Sequence, residues 1–260
     1  MTSTALGAST VLQTAAIDPL ESIGVIVDSN RRPVSQMVLA KLTQMIVSGA
    51  WKAGDTLPSE SELARMLNVS KTIIRESVRQ LAVLGVIDIQ QGKASTVRTL
   101  TAQPLELFFR FAMVGRRTGL REAIELRLAL ETHIVTLAAE RMETHEVRSL
   151  EEIVKEMWLH KDDLERWVQL DLAFHLAIAD GAKNELCRLV MHALRGIVEE
   201  SMRIVNVRFD LRDPVATVRR HEKILQSIQQ HDPDAARHAM SVHFGATTPL
   251  VNIILSDSEG

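Results

Sequence analysis

An aspartate and three histidines carry the most specific chemistry in this chain. Asp171 and His175 occur as D-L-A-F-H, four residues apart, and so share one face of a helix. His221 and His243 stand nearly equidistant from an Asp232-Pro233 pair. Two helices folded back to back about that pair bring residues some ten positions before and after it to the same height, each about 15 Å from the turn. One carboxylate and three imidazoles then converge inside a helical bundle. Such a nitrogen and oxygen set suits a divalent cation, zinc foremost, with nickel, manganese or iron as alternatives, and leaves positions for water or a ligand carboxylate. The other histidines lack such partners and are read as surface or packing residues.

A second set of residues points to nucleic acid. Arg75 and Arg79 lie four apart on one helix face, with Lys71 a turn before Arg75. An arginine fork pairs with O6 and N7 of guanine in the major groove, so Arg75 and Arg79 are assigned to base or near-base contacts. Lys71, Thr72, Gln91, Gly92 and Lys93 are assigned to phosphate and groove-edge contacts. Taken alone, Arg75 and Arg79 could equally be a solvated basic face paired with Glu76 or Asp88.

The elements around them decide between these readings. Val34 to Val47 has a helical apolar stripe at 34, 38, 42, 45 and 46. Ser59 opens an S-x-x-E capping pattern with Glu62, and Leu63, Ala64 and Leu67 form the buried face of that helix. Asn68-Val69 turns the chain, Ser70 caps the next helix, and Gly85 stops it. Val86–Gln90 and Ser95–Arg98 then read as two wing strands with Gly92-Lys93 near the tip. This order is a winged helix-turn-helix, which places its second helix in the major groove.

Charge and composition agree. Residues 1–30 carry a net −3, residues 31–98 a net +5 and residues 99–260 a net −5, so the basic block coincides with the helix-turn-helix. The 260-residue chain is 46% hydrophobic but only 3% aromatic, which suits aliphatic helix-on-helix packing. A single cysteine, Cys187, excludes an internal disulfide and fits a reducing cytoplasm. The apolar runs fall short of a membrane span and no secretory leader opens the chain. Residues 1–30 read as a mobile extension with a short ordered piece at Ile23–Val27, and Arg31 and Arg32 lie within reach of a phosphate. Residues 31–98 form the DNA-binding domain, 99–103 a linker and 104–254 a helical domain. Helices are expected near 104–114, 119–142, 145–160, 162–180, 183–206, 213–230 and 233–254. The fold class is therefore mainly α: an N-terminal winged helix-turn-helix and an antiparallel bundle of about seven helices.

Residues 34–98 resemble the GntR family of bacterial transcription regulators through Gly49, Gly54, Leu57-Pro58-Ser59-Glu60, Leu63-Ala64, Val69-Ser70, Arg75-Glu76, Leu81, Gly85 and Gly92. The resemblance adds Ser59, Glu60 and Ser70 to the DNA-facing set. Ser61 and Lys71 stand where that family often has arginine, so its operator sequences do not carry over. Residues 104–250 resemble the FCD ligand-binding domain of the FadR-like subgroup, through Glu125-x-Arg127-x-x-x-Glu131, Ala138-Ala139, Asp171-x-x-Phe174-His175, Asn184, His221 and His243. In metal-bearing members the residues matching Asp171, His175, His221 and His243 hold a divalent cation. The arginine matching Arg127 faces the cavity, where it can pair with an effector carboxylate. The alternative for Arg127 is a salt bridge to Glu125 or Glu131. The resemblance implies a homodimer that binds a pseudo-palindromic double-stranded operator and responds to a small carboxylate effector, as a repressor and not an enzyme. Two rival readings are a metal-dependent hydrolase and a DNA-binding dimer whose helical half only dimerises. Turnover of esters, amides or lactones would mark the first, and the absence of any small-molecule effect on DNA affinity the second.

Overall fold

The computed structural model describes residues 33–90, 93–113, 119–206 and 213–257. The Ile23–Val27 piece, Arg31, Arg32, Gln91 and Gly92 lie outside the described residues. The chain divides into two compact units, one ending at Leu100 and one beginning at Thr101.

In the first unit, α1 (Val34–Val47) presents Val38, Leu42 and Met45 to a core shared with α2 (Glu60–Leu67) and α3 (Lys71–Val83). Both N-caps read from the sequence are formed. The Ser59 side chain accepts from the Glu62 amide at 3.2 Å while the Glu62 carboxylate accepts from the Ser59 amide at 2.8 Å. Ser70 accepts from the Ile73 amide. The turn between α2 and α3 passes through Asn68 at φ 54, a left-handed conformation that asparagine tolerates better than most residues. The wing strands are shorter than expected: β1 (Ile87–Asp88) pairs antiparallel with β2 (Thr96–Val97), Ile87 opposite Val97. Ile87 and Val97 are the strand residues buried in the core, while Ile89 just beyond β1 is exposed. A third segment joins that ladder. The Val97 amide donates to Asp55 O, and the Gly54 and Leu57 amides donate to Val97 O and Ser95 O. The sequence reading treated this stretch only as a connection.

The second unit is helical throughout its described residues: α4 (Gln103–Met113), α5 (Gly119–Arg141), α6 (Thr144–Leu159), α7 (Leu164–Gly181), α8 (Glu185–Ala193), α9 (Arg195–Asn206), α10 (Pro214–Gln229), α11 (Pro233–Gly245) and α12 (Thr248–Asp257). Two expected helices are each divided. The 183–206 helix breaks at Leu194, just before Gly196. The 233–254 helix breaks at Ala246-Thr247, because Pro249 lacks an amide proton and its ring would collide with the carbonyl four residues back. α5, α7, α10 and α11 surround one core in which Trp167, Phe174 and Phe244 are the largest buried side chains. Asp213 and Asp232 cap α10 and α11, accepting from the Ala216 and Ala235 amides at 2.9 Å, each with proline at the next position. Residues 233–256 have the length and a mean hydropathy of 1.2 that would suit a membrane span. Here they are interrupted by that turn, and Met240, His243 and Phe244 are buried in the bundle.

Ser59→Ala removes an amide acceptor at the start of α2 and is expected to destabilise the first unit by about 1 kcal/mol. Ser59→Thr retains the oxygen and should restore the unfolding midpoint, followed by circular dichroism at 222 nm.

Candidate metal centre, effector cavity and nucleic-acid interface

Asp171 and His175 stand one turn apart on α7, whose sequence is apolar on nearly every side, so both are buried along with Trp167, Phe174 and Ile178. His221 comes from α10 and His243 from α11. The intervening turn is closed by His231 at φ 50, whose ring nitrogen Nδ1 also meets the Ala139 carbonyl at 2.8 Å. The three imidazoles crowd together, with ring centroids 4.6 Å apart for His221 and His243, 5.2 Å for His175 and His243, and 5.8 Å for His175 and His221. One potential ligand atom from each of the four residues lies within 4.8 Å of the other three.

Those atoms have no hydrogen-bond partner of their own. His221 Nε2 sits 2.7 Å from Asp171 Oδ1 without being aligned for a hydrogen bond, and both remain unsatisfied, as do His175 Nε2 and His243 Nδ1. Each buried orphan costs on the order of 1–3 kcal/mol. Four converging on one point is a cost that a cation at that point removes, so the donor set fits a divalent metal.

The other side of each ring is held. His221 Nδ1 donates to the Thr217 carbonyl at 2.9 Å, which leaves Nε2 as its lone-pair nitrogen. His175 Nδ1 abuts Glu131 Oε2, which turns its Nε2 towards Asp171, 3.9 Å from Oδ1. Burial drives the His243 imidazole well below its ordinary 6.5, and His221 and His175 add to this, so the ring is neutral as a metal ligand must be. Burial alone would raise the Asp171 carboxyl. The His221 contact outweighs it and lowers the carboxyl below its ordinary value.

Glu131, weighed in the sequence only as a salt-bridge partner of Arg127, also reaches His175. Its Oε1 accepts from Arg127 Nε at 2.8 Å and its Oε2 faces His175. Burial would raise this carboxyl too, but Arg127 and His175 overturn that and keep it below its ordinary value. The available signal was its position four residues after Arg127 on α5. The salt bridge weighed as an alternative for Arg127 is therefore present, yet it engages only Nε. Arg127 Nη2 is buried and unpartnered, and its guanidinium lies 5.0 Å from the centroid of the Phe244 ring.

Arg127, Asp171 and His243 line one wall of a cavity of about 240 Å³, with Trp167, Met202 and Phe244 as apolar surface and Arg220 as a further cation. A volume of this size suits a compact ligand of a few carbons.

In the first unit, Lys71, Thr72, Arg75 and Arg79 are all exposed on α3, and Lys93 is exposed on the wing. Arg75 is neither free nor paired with Glu76. Its Nε lies 3.0 Å and its Nη2 2.8 Å from Glu60 Oε2, which joins the start of α2 to the face of α3. Both side chains stay open to solvent, 53% and 37% exposed, so the fork is held in place but not hidden. Ser59 and Ser70 serve as helix caps beside it. The Arg79–Asp88 pairing is not formed: Asp88 instead accepts from the Gln90 side chain at 2.8 Å.

A capped helix-turn-helix with an exposed basic second helix, followed by a helical bundle, defines a DNA-binding regulator. Residues 34–97 match the bacterial regulatory proteins of the gntR family, and residues 122–246 match the FCD domain. The chain is a GntR-family transcriptional regulator with a C-terminal FCD domain. It is 28% identical over 203 residues to the HTH-type transcriptional regulator LutR of Bacillus subtilis, covering 76% of this chain and 92% of that protein. It is 27% identical over 221 residues to the HTH-type transcriptional repressor NanR of Citrobacter rodentium, covering 84% and 85%. Among solved structures it is similar to Streptococcus agalactiae GntR, with a TM-score of 0.58 and 25% identity over 81% of this chain and 97% of that one. These relatives are transcriptional regulators, and the hydrolase reading has no place beside them: the protein is not an enzyme.

Glu131→Ala leaves Arg127 buried without its counter-ion and His175 without the carboxylate it abuts. It should destabilise the helical unit by about 3–5 kcal/mol, measured by urea unfolding followed by circular dichroism.

Proposed function

We propose that this regulator is a homodimeric repressor. Its affinity for a pseudo-palindromic operator is set by a small organic acid bound in the helical unit beside a divalent metal, zinc foremost. The observation that carries this reading is the buried, unsatisfied donor set of Asp171, His175, His221 and His243, of which Asp171 and His243 line the same cavity as Arg127.

The metal supplies a Lewis-acidic anchor for a carboxylate oxygen. The chain's own residues do the rest. Arg127 donates from Nη2 to the effector while Nε stays on Glu131, so acid binding and imidazole orientation share one guanidinium. Thr217 keeps His221 in the ligating tautomer. The apolar wall excludes water and strengthens each charged contact. An acid that prefers one arrangement of the protein shifts the population between DNA-competent and released forms.

At the operator, Arg75 and Arg79 read base edges. Lys71, Thr72, Gln91, Gly92 and Lys93 engage phosphate and groove edges, and Ser59, Glu60 and Ser70 frame the reading helix. Glu60 presents the Arg75 fork to the groove in a defined orientation. The homodimer is supported by α4, which buries none of its residues within the chain and leaves Leu107, Phe108 and Phe111 exposed at 54%, 64% and 71%. Repression is supported by the likeness to a protein described as a repressor. The reducing cytoplasm expected from the single cysteine is where such a protein meets its operator.

Removal of metal by a chelator should lower the unfolding midpoint of the helical unit, and one equivalent of zinc should restore it. His175→Ala combined with His221→Ala should show neither response; metal content by mass spectrometry equal to wild type in that variant would exclude this site. Arg75→Ala should weaken specific operator binding about 10- to 100-fold in a fluorescence-anisotropy titration while leaving circular dichroism unchanged. Arg75→Lys should not rescue it, because a point charge does not replace the fork.

A further inference from the structure

We propose that the effector is a small diacid, and that Arg220 is the residue that selects it by receiving the second carboxylate. This rests on the effector reading above and deepens it.

Arg220 immediately precedes His221 on α10, so the two side chains leave the helix about 100° apart. His221 belongs to the donor cluster, and Arg220 lines the cavity that Asp171 and His243 border. Thr217, one turn earlier, holds both. Its carbonyl accepts from His221 Nδ1 at 2.9 Å, and its hydroxyl oxygen accepts from Arg220 Nη2 at 2.8 Å. The Thr217 hydroxyl in turn donates to the Asp213 carbonyl at 2.7 Å. The guanidinium is thus oriented by a fixed neutral partner, yet its Nε is buried with nothing to donate to.

The nearest source of compensating charge is Asp213, which also borders the cavity. That carboxylate is exposed and already accepts from the Ala216 amide at the start of α10.

Arg127 and Arg220 therefore both line the cavity, and each keeps a buried nitrogen, Nη2 and Nε, without a partner. The cavity-lining carboxylate that is buried, Asp171, belongs to the metal set. A monoacid anchored beside Arg127 satisfies one guanidinium and leaves the other desolvated without a partner. A diacid of about four to six carbons satisfies both, and such a molecule fits in about 240 Å³. Rejection of ligands that leave a buried donor unpaired is the stronger form of discrimination.

The test uses full-length, zinc-loaded protein and isothermal titration with three matched pairs of acids: lactate and malate, butanoate and succinate, gluconate and glucarate. The expected result is that the diacid of at least one pair binds about 10- to 100-fold more tightly than its monoacid. In Arg220→Met that gap should close through loss of diacid affinity, with unaltered circular dichroism. Arg220→Lys, which keeps a cation, should retain part of the gap and covers the case in which the methionine variant fails to fold. Equal affinities within every pair that binds, or a gap that survives in Arg220→Met, would overturn the diacid assignment while leaving acid sensing intact. Binding of none of the six acids would overturn both.

Discussion

The Glu131 carboxylate, shared between Arg127 and His175, is the contact on which the helical unit depends. It is buried on α5 and faces a guanidinium on its own helix and an imidazole on α7. A buried charge is tolerated only when paired and hydrogen-bonded, so its presence dictates where both partners stand. From His175 the constraint passes to the donor cluster, and through that cluster to α10 and α11, which supply His221 and His243. From Arg127 it passes to the cavity, because engaging Nε on Glu131 leaves Nη2 for something else. The cavity and the donor cluster are therefore two sides of one electrostatic arrangement.

A related economy operates in the first unit. Glu60 and Arg75 form an exposed two-point pair across the helix-turn-helix. An exposed pair contributes little to stability. Its consequence is geometric: a long side chain that would otherwise sample many rotamers is held as a fork on the exposed face of α3. Ser59 and Ser70 fix the starts of the two helices that carry the pair, so caps and pair together determine the reading geometry.

Much of this was legible in the linear sequence wherever the governing interaction is local. The Ser59–Glu62 capping box, the turn at Asn68, and the Asp-Pro starts of α10 and α11 each depend on residues within four positions of one another. The convergence of His221 with His243 followed from equal distances about one turn, and that of Asp171 with His175 from one helical repeat. Where a local signal was overlooked, the reading failed locally: Pro249 already forbade a continuous helix from 233 to 254. The break at Leu194 was less visible, because the apolar periodicity runs through it and Gly196 alone marks it.

What the sequence by itself determined is the class of protein, its two units, the capped starts of α2, α3, α10 and α11 and the four residues able to bind metal, because periodicity, capping and proline chemistry act over one or two helical turns. Tertiary structure alone decided the partners of the charged groups. Arg75 found Glu60 fifteen residues away instead of its neighbour Glu76, residues 54–57 joined the wing, and Arg127 divided its donors between Glu131 and the cavity. Arg220, unremarkable in the sequence, became a cavity residue through the packing of α10. Such pairings depend on which faces are desolvated together, and burial is a property of the whole packed unit.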